Sequence, residues 1–350
     1  MQTEETNIIE TPQNNLSPHD AAKYYNRTGG AICIHYAILY VVQIIAIIFI
    51  CIAVAMTGSK KYMQIITDPS VMLYLTAASY VIANIAGTII ALAFNGKLKN
   101  SLKGMFMRSG FTPAFMALCV PAAMCIQAIS IVLQNLFVLI TGSSGMENMQ
   151  MPELMPGNTL NNVVYVLYVG ILGPVTEELL FRGAVMKGFN FAGQKFAVIF
   201  SALWFALFHG NIMQGIIAFL LGIFFGYLNI KAGSIMPSVI LHITNNMTAI
   251  LLEAVSSSMS DKTLDIFYTV YIIAAIILGG ICLFRALSKL KNNPSKENSF
   301  FEPECCPDKD SKKKYGLRAA VKSPFLWIAF AIYMLLIISN IIISNINIEI

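Results

Sequence analysis

Long uninterrupted runs of apolar residues recur along this chain, and they constrain its fold more than any other feature. A helix of about 20 apolar residues is long enough to cross the hydrocarbon core of a bilayer. The runs predict about eight to nine spanning helices, because the stretches after residue 187 and around residue 210 could break or merge helices. The predicted segments are 31–56, 70–94, 112–141, 162–187, 195–210, 212–230, 235–252, 264–284 and 325–343.

The composition agrees with a protein that is embedded in a membrane. Of its 350 residues, 57% are hydrophobic and only 12% are charged, whereas soluble domains have about 25% charged residues. In lipid, a helix satisfies its own backbone hydrogen bonds, and these runs are too long and continuous for the strands of a membrane barrel. We therefore predict an all-α fold, a polytopic membrane helical bundle.

The positions of Lys and Arg between the predicted helices indicate the orientation in the membrane. Basic residues cluster in the loop 95–111 and follow the helices that end near residues 187, 230 and 284, whereas the loop 142–160 has Glu147 and Glu153 and no Lys or Arg. This pattern predicts a cytoplasmic N-terminus and an external C-terminus, although Lys60 and Lys61 do not fit it. The net charge of +5 is explained by cytoplasmic loops, so no nucleic-acid partner is expected.

Four regions differ in character. Residues 1–30 form a polar N-terminal tail, without the pattern of a cleavable signal peptide, and residues 31–141 hold three apolar helices in which His35 is predicted to be a packing residue. Residues 160–252 contain nearly every charge that lies within an apolar run. Residues 264–350 hold the C-terminal helices, and the polar, charged segment 287–323 is predicted to be a flexible cytoplasmic linker. The seven cysteines show no metal-type spacing.

Charged and titratable side chains inside the region 160–252 are the strongest functional signal in the sequence. An ionisable residue at bilayer depth costs about 2.5–3.5 kcal/mol on insertion scales and usually marks function. Asn245 and Asn246 accompany these residues near the end of the region. The ionisable residues themselves are Glu177, Glu178, Arg182, His209 and His242.

Helical spacing suggests how these groups are arranged. Glu178 and Arg182 are four residues apart, with the acid first, which favours an ion pair. Glu177 is turned about 100° away on an α-helix and can face other helices. Glu178 would therefore hold the helix face through Arg182, and Glu177 would be the functional carboxylate. A purely structural alternative has both carboxylates satisfied by Arg182 and neighbouring hydroxyls. Counted from the basic loops at about 1.5 Å per residue, Glu177, His209 and His242 are expected to meet near the middle of the bilayer.

Three short motifs occur in order on successive helices: EELLFR at 177–182, FALFH at 205–209 and HITNN at 242–246. They correspond to the patterns EExxxR, FxxxH and HxxxN, with no departure at the motif positions. In this order they resemble the CPBP intramembrane proteases, the group of the type II CAAX prenyl endopeptidases and of bacteriocin-processing or immunity relatives. The resemblance covers about residues 160–252, near a quarter of the chain.

The resemblance implies hydrolysis of peptide bonds inside the membrane, without a covalent intermediate and without a cofactor. Glu177 matches the general base that activates a water molecule, and His209 would hold and polarise that water. His242 and Asn246 match the positions that stabilise the tetrahedral oxygen. Glu178 and Arg182 would orient and neutralise the site. The implied substrate is a membrane-associated or lipidated peptide or protein, and the implied location is the plasma membrane of a bacterium.

Other functions use the same residues. Glu177, His209 and His242 would form a ligand set that suits catalytic Zn²⁺, which would make the protein a zinc-dependent metalloendopeptidase, although a metal-independent mechanism is favoured. A non-catalytic bacteriocin immunity or membrane binding protein would retain the site without using it for cleavage. A proton-coupled transporter would use buried groups as a relay, and Gly173–Pro174 would break a helix as such proteins require, but the sequence has no second copy of this break in another half of the chain.

Overall fold

The computed structural model describes residues 18–57, 68–94, 98–107, 110–141, 154–155, 157–292, 300–301 and 316–345. Within these ranges the chain is helical and contains no strand, which confirms the predicted all-α fold. The helices are α1 Pro18–Thr57, α2 Pro69–Phe94, α3 Leu98–Met105, α4 Pro113–Thr141, α5 Thr159–Phe189, α6 Gln194–Phe208, α7 Ile212–Ala232, α8 Met236–Ser256, α9 Asp261–Asn292, α10 Leu317–Ala320 and α11 Pro324–Asn345.

Seven helices of the described chain are long and apolar enough to cross a membrane, namely α1, α2, α4, α5, α7, α8 and α9. The protein is therefore an integral membrane protein. The helix α6 has 15 residues and spans about 22 Å at 1.5 Å per residue, less than the roughly 30 Å hydrocarbon core. The apolar part of α11, Pro324–Ser339, is also short. Both segments are helices, as predicted, but α6 ends at Phe208 and not at residue 210.

Two polar regions of the sequence contribute more to the bundle than their composition suggests. The first helix begins at Pro18, so residues 18–30 extend α1 instead of forming a tail, and the ring of Tyr25 packs 5.7 Å from that of Phe189. In the segment 287–323, α9 continues to Asn292. The side chains of Phe300 and Phe301 are buried there. An apolar-run prediction cannot detect such amphipathic extensions, because their buried face is only one side of the helix.

Several residues used in the sequence-based predictions lie outside the described ranges. They include the acidic residues Glu147 and Glu153 of the loop 142–160, the lysine pair Lys60 and Lys61, and most of the segment 287–323.

The helix α5 occupies the centre of the bundle, where it contacts α2, α6 and α8. The helix α1 packs against α2 and α11, α6 against α7, and α9 against α4. Glycines allow two of these close approaches: a Cβ at Gly279 of α9 would lie 2.3 Å from the backbone oxygen of Pro121 in α4. A Cβ at Gly29 of α1 would lie 2.7 Å from the backbone nitrogen of Leu326 in α11. Small residues at such crossings are typical of membrane helix packing.

The central helix is not wound uniformly. It has π-helical turns at Tyr168–Leu172 and Glu178–Val185, and Pro174 lies between them. Proline lacks the backbone N–H that an α-helix needs, and the hydroxyl of Thr176 donates to the carbonyl oxygen of Leu172 at 2.8 Å in this region. Turns of π-helix inside α-helices occur frequently at functional sites. Here they flank the predicted base.

The turn between α6 and α7 places a predicted functional residue at a helix end. His209 follows the last residue of α6, and Gly210 has φ of 68°, a backbone conformation that glycine adopts readily. Asn211 then caps α7, because its side-chain oxygen accepts a hydrogen bond from the backbone N–H of Gln214 at 2.7 Å. This N-cap is of the kind that stabilises helix starts, and it fixes the turn beside His209.

Candidate active site

The four predicted catalytic residues line one partly open cavity of about 270 Å³. They come from α5, the end of α6, and α8. Such a volume holds several water molecules at about 30 Å³ each, or a short piece of peptide. The cavity wall also has further polar side chains from α4, α5, α7 and α8, namely Gln127, Tyr165, Gln214, Asn245 and Glu253.

Glu177 is buried, and its two carboxylate oxygens face different helices. The hydroxyl of Tyr80 in α2 donates a hydrogen bond to Oε1 at 2.6 Å. The other oxygen, Oε2, lies 3.6 Å from Nε2 of His242 in α8. Oε1 is therefore already bound to α2, whereas Oε2 is directed to the helix that carries His242.

Glu178 and Arg182 form the predicted ion pair, with Oε2 of Glu178 lying 3.4 Å from Nε of Arg182 and both side chains fully buried. The ring of Phe205 covers the guanidinium, whose Cζ lies 4.3 Å from the ring centroid. Within the described structure, neither the guanidinium nitrogens nor this Oε2 has a well-aligned hydrogen bond. The pair is thus held by charge and by the aromatic ring more than by hydrogen-bond geometry.

His242 lies between the two glutamates. Its Nδ1 is 3.0 Å from Oε1 of Glu178, and its Nε2 faces Glu177. Because a carboxylate accepts hydrogen bonds, Nδ1 is the donor in the first contact. Glu178 therefore orients the imidazole ring, and Arg182 balances the charge of Glu178 from the other side.

His209 is fixed by its own helix. Its Nδ1 is 2.8 Å from the backbone oxygen of Phe205, and a carbonyl oxygen can only accept, so Nδ1 carries the proton. In the neutral ring Nε2 is then an acceptor. The ring of Phe205 meets the rings of His209 and His242 edge to face, at centroid distances of 4.9 Å and 5.8 Å, and so separates the two histidines along the cavity wall.

Asn246 is held by the π-helical part of α5. Its Nδ2 donates to the backbone oxygen of Val169 at 2.8 Å, which leaves the second N–H of this amide available. Its neighbour Asn245 lines the same cavity, and the Oδ1 of Asn245 is a buried acceptor with no hydrogen-bond partner in the described structure. The cavity therefore offers one amide donor and one amide acceptor side by side.

The candidate zinc ligands Glu177, His209 and His242 do not form a compact ligand set in this arrangement. Among the residues with described coordinates, no three His, Cys, Asp or Glu side chains come close enough together to hold a metal ion. His242 is engaged by Glu178 through Nδ1, and it faces Glu177 through Nε2. Residues on three helices would have to move to share one ion.

Several residues of the site were not predicted from the sequence, and Tyr80 and Glu253 are two of them. Tyr80 is uncharged and lies in an apolar helix without any motif. Glu253 falls one residue beyond the predicted run 235–252, and its carboxylate accepts hydrogen bonds from the backbone N–H of Leu154 and the hydroxyl of Tyr165, both at 2.8 Å. The acidic residue directly after an apolar run could have indicated Glu253 as a candidate site residue. His35, predicted to be a packing residue, is buried and bonds through Nε2 to Oδ1 of Asn84 at 2.8 Å.

The fold and the site define a polytopic helical membrane protein in which charged and amide side chains from neighbouring helices converge on one cavity. A family model described as type II CAAX prenyl endopeptidase Rce1-like matches residues 159–248. This match supports the CPBP and CAAX protease family for the segment, as the three motifs predict, and it implies protease activity. Neither a search of curated proteins nor a search of solved structures finds a match to the chain.

Proposed function

We propose that the protein is an intramembrane endopeptidase that hydrolyses peptide bonds by means of a water molecule activated by Glu177 and His209. One observation carries this proposal: a buried carboxylate, two imidazoles and an amide from α5, α6 and α8 all face a single cavity. A base, a water-positioning group and donors for a developing negative charge are the components that such a hydrolysis needs.

The activated water would lie between Glu177 and His209. One of its hydrogens would bond to Oε2 of Glu177, because Oε1 already accepts from Tyr80. The other would bond to Nε2 of His209, which is the free acceptor once Nδ1 donates to Phe205. With both hydrogens held, a lone pair of the water oxygen is directed to the carbonyl carbon of the substrate. Glu177 takes one proton as the new C–O bond forms and later returns it to the leaving amine.

His242 and Asn246 would stabilise the tetrahedral oxygen. For Nε2 of His242 to donate, both ring nitrogens must carry protons, since Nδ1 already donates to Glu178. The two glutamates exceed the single guanidinium of Arg182 by one negative charge, so a positive imidazole ring makes the cluster neutral. Removing one preplaced donor from such a site typically costs about 2.7–4 kcal/mol of barrier, which is the contribution we assign to each of these side chains.

The substrate class is proposed from the matched family and from the surroundings of the site. The family description names prenyl endopeptidases, whose substrates carry a lipidated cysteine near the carboxyl end. A cavity among membrane-spanning helices suits a peptide that is held at the bilayer by such a lipid. We propose a lipidated or otherwise membrane-associated peptide, approached from the cytoplasmic side of a bacterial plasma membrane with the N-terminus of the protein on that same side.

The decisive experiment uses the full chain purified in detergent and a panel of quenched peptides with and without a prenylated cysteine. Wild type, Glu177→Gln and chelator-treated protein are compared. The matched control is Asp261→Asn, the same carboxyl-to-amide change at an exposed position in the first turn of α9. We expect cleavage by wild type, by the control and by chelator-treated protein, and none by Glu177→Gln.

Other outcomes point elsewhere. Loss of cleavage with chelator and recovery with Zn²⁺ would establish the metalloendopeptidase instead. If wild type cleaves no peptide and Glu177→Gln retains the phenotype of the intact protein in cells, the protein acts as a binding or immunity protein and the hydrolase proposal is wrong.

A further inference from the structure

Tyr80 belongs to α2, outside both the three motifs and the matched segment 159–248. Its hydroxyl nevertheless donates the 2.6 Å hydrogen bond to Glu177. This distance falls in the short range of 2.5–2.7 Å that is typical of O–H donors bound to carboxylates. The proposed base is therefore held from a part of the chain that the motifs do not cover.

The position of the Tyr80 hydroxyl is fixed by packing. Its ring lies 5.3 Å from the ring of Phe208 and 5.7 Å, edge to face, from that of Tyr168. These neighbours come from α6 and α5, the same helices that carry His209 and Glu177. The phenol is thus clamped between the elements of the site.

A second contact docks α2 on α5 one residue away from Glu177. Asn84, one helical turn after Tyr80, donates from Nδ2 to Oγ1 of Thr176 at 3.1 Å. The side-chain oxygen of Asn84 is hydrogen-bonded to His35 of α1, so these hydrogen bonds connect α5 through α2 to α1. Two successive residues of α5 are therefore fixed by two successive turns of α2.

We infer that Tyr80 is the positioning residue that selects which oxygen of Glu177 acts as the base. A carboxylate on a freely rotating side chain offers either oxygen, but the bond from Tyr80 occupies Oε1 and leaves Oε2 facing His242. This inference rests on the proposed function, since it concerns the base of that reaction.

The test is Tyr80→Phe, which removes the hydroxyl and keeps the ring between its neighbours. A hydrogen bond to a charged group contributes enough that its loss lowers kcat by about 10- to 100-fold. We expect KM for the prenylated peptide to change by less than about twofold, because the hydroxyl is bound to the base and not to substrate.

The matched control is Tyr74→Phe, the same change on the same helix. The hydroxyl of Tyr74 donates to Oδ1 of Asn161, which also lies in α5. Tyr74→Phe therefore also removes one hydrogen bond across the α2–α5 interface, but away from the base. We expect this variant to lose thermal stability but to keep the kcat of wild type.

A spectroscopic measurement separates failure of this inference from failure of the proposed function. The infrared carboxylate band of Glu177, assigned by its loss in Glu177→Gln, is compared in wild type, Tyr80→Phe and Tyr74→Phe, because its frequency depends on the hydrogen bonds that the carboxylate accepts. A band displaced only in Tyr80→Phe supports the inference even if no peptide in the panel is cleaved. An unchanged band, or an unchanged kcat in a protease that is otherwise active, overturns it.

Discussion

Removing the positive charge beside the two glutamates should destabilise the protein more than any change on its surface. In Arg182→Met, the fully buried carboxylate of Glu178 would lose the guanidinium that balances its charge. Breaking a buried ion pair by deleting one member typically costs about 3–5 kcal/mol, because the remaining charge is not compensated. The stacking of the guanidinium on Phe205 contributes about 0.5–2 kcal/mol more.

The double variant Glu178→Gln/Arg182→Met tests the origin of that cost. It removes both charges, and the amide oxygen of the new glutamine can still accept the bond from His242. Replacing a whole buried pair by neutral groups is often close to neutral. We therefore expect the double variant to be more stable than Arg182→Met alone, with a coupling free energy of about 3 kcal/mol, at the upper end of the range for contacting residues.

The assay is equilibrium unfolding in mixed micelles for wild type, the two single variants and the double variant, which closes a double-mutant cycle. Thermal melting of the same four proteins gives an independent order of stabilities. If the two single effects simply add, within about 0.5 kcal/mol, then Glu178 and Arg182 are not coupled. The interpretation of this pair as a compensated charge would then be refuted.

Three further outcomes follow from the geometry. Asn246→Ala should lower kcat by about 100- to 1,000-fold, as for other lost oxyanion donors, with little change in KM; an effect on KM alone would show that the amide binds substrate instead. Gly279→Leu should lower the melting temperature markedly, because its Cβ would lie 2.3 Å from the carbonyl oxygen of Pro121. The control Gly280→Leu, whose Cβ would lie 3.8 Å from the sulfur of Cys125, should not. Equal melting temperatures of the two variants would contradict the close contact. Asn211→Ala should cost about 1 kcal/mol, the usual value of an N-cap, in a thermal unfolding measurement, and no loss would show that the cap is replaced by another group.

The sequence predicted several parts of the site because they are recognisable from nearby residues: charges stand out in apolar runs, and ion pairs follow helical spacing. Charges inside apolar runs are expensive, so Glu177, Glu178 and Arg182 were conspicuous without any structure. The four-residue spacing of the last two predicted their ion pair, which the structure contains. The catalytic roles of Glu177, His209, His242 and Asn246 remain predictions, although all four face one cavity.

The sequence could not predict contacts made by groups that cost little in lipid. A tyrosine in an apolar helix leaves no pattern, so the bond from Tyr80 to Glu177 became visible only in the folded bundle. The same holds for the start of α1 at Pro18, where one buried face of a polar helix replaces a continuous apolar run.

By itself, the sequence determined that this is a helical membrane protein with a protease-like group of charges, because helix length and the cost of burying charge depend on neighbouring residues along the chain. Only the tertiary structure decided that His242 lies between both glutamates and that Tyr80 of α2 donates a hydrogen bond to Glu177. Those contacts join residues 64 and 97 positions apart. They depend on how the helices pack, and packing in lipid is directed by shape and hydrogen bonding rather than by hydrophobicity.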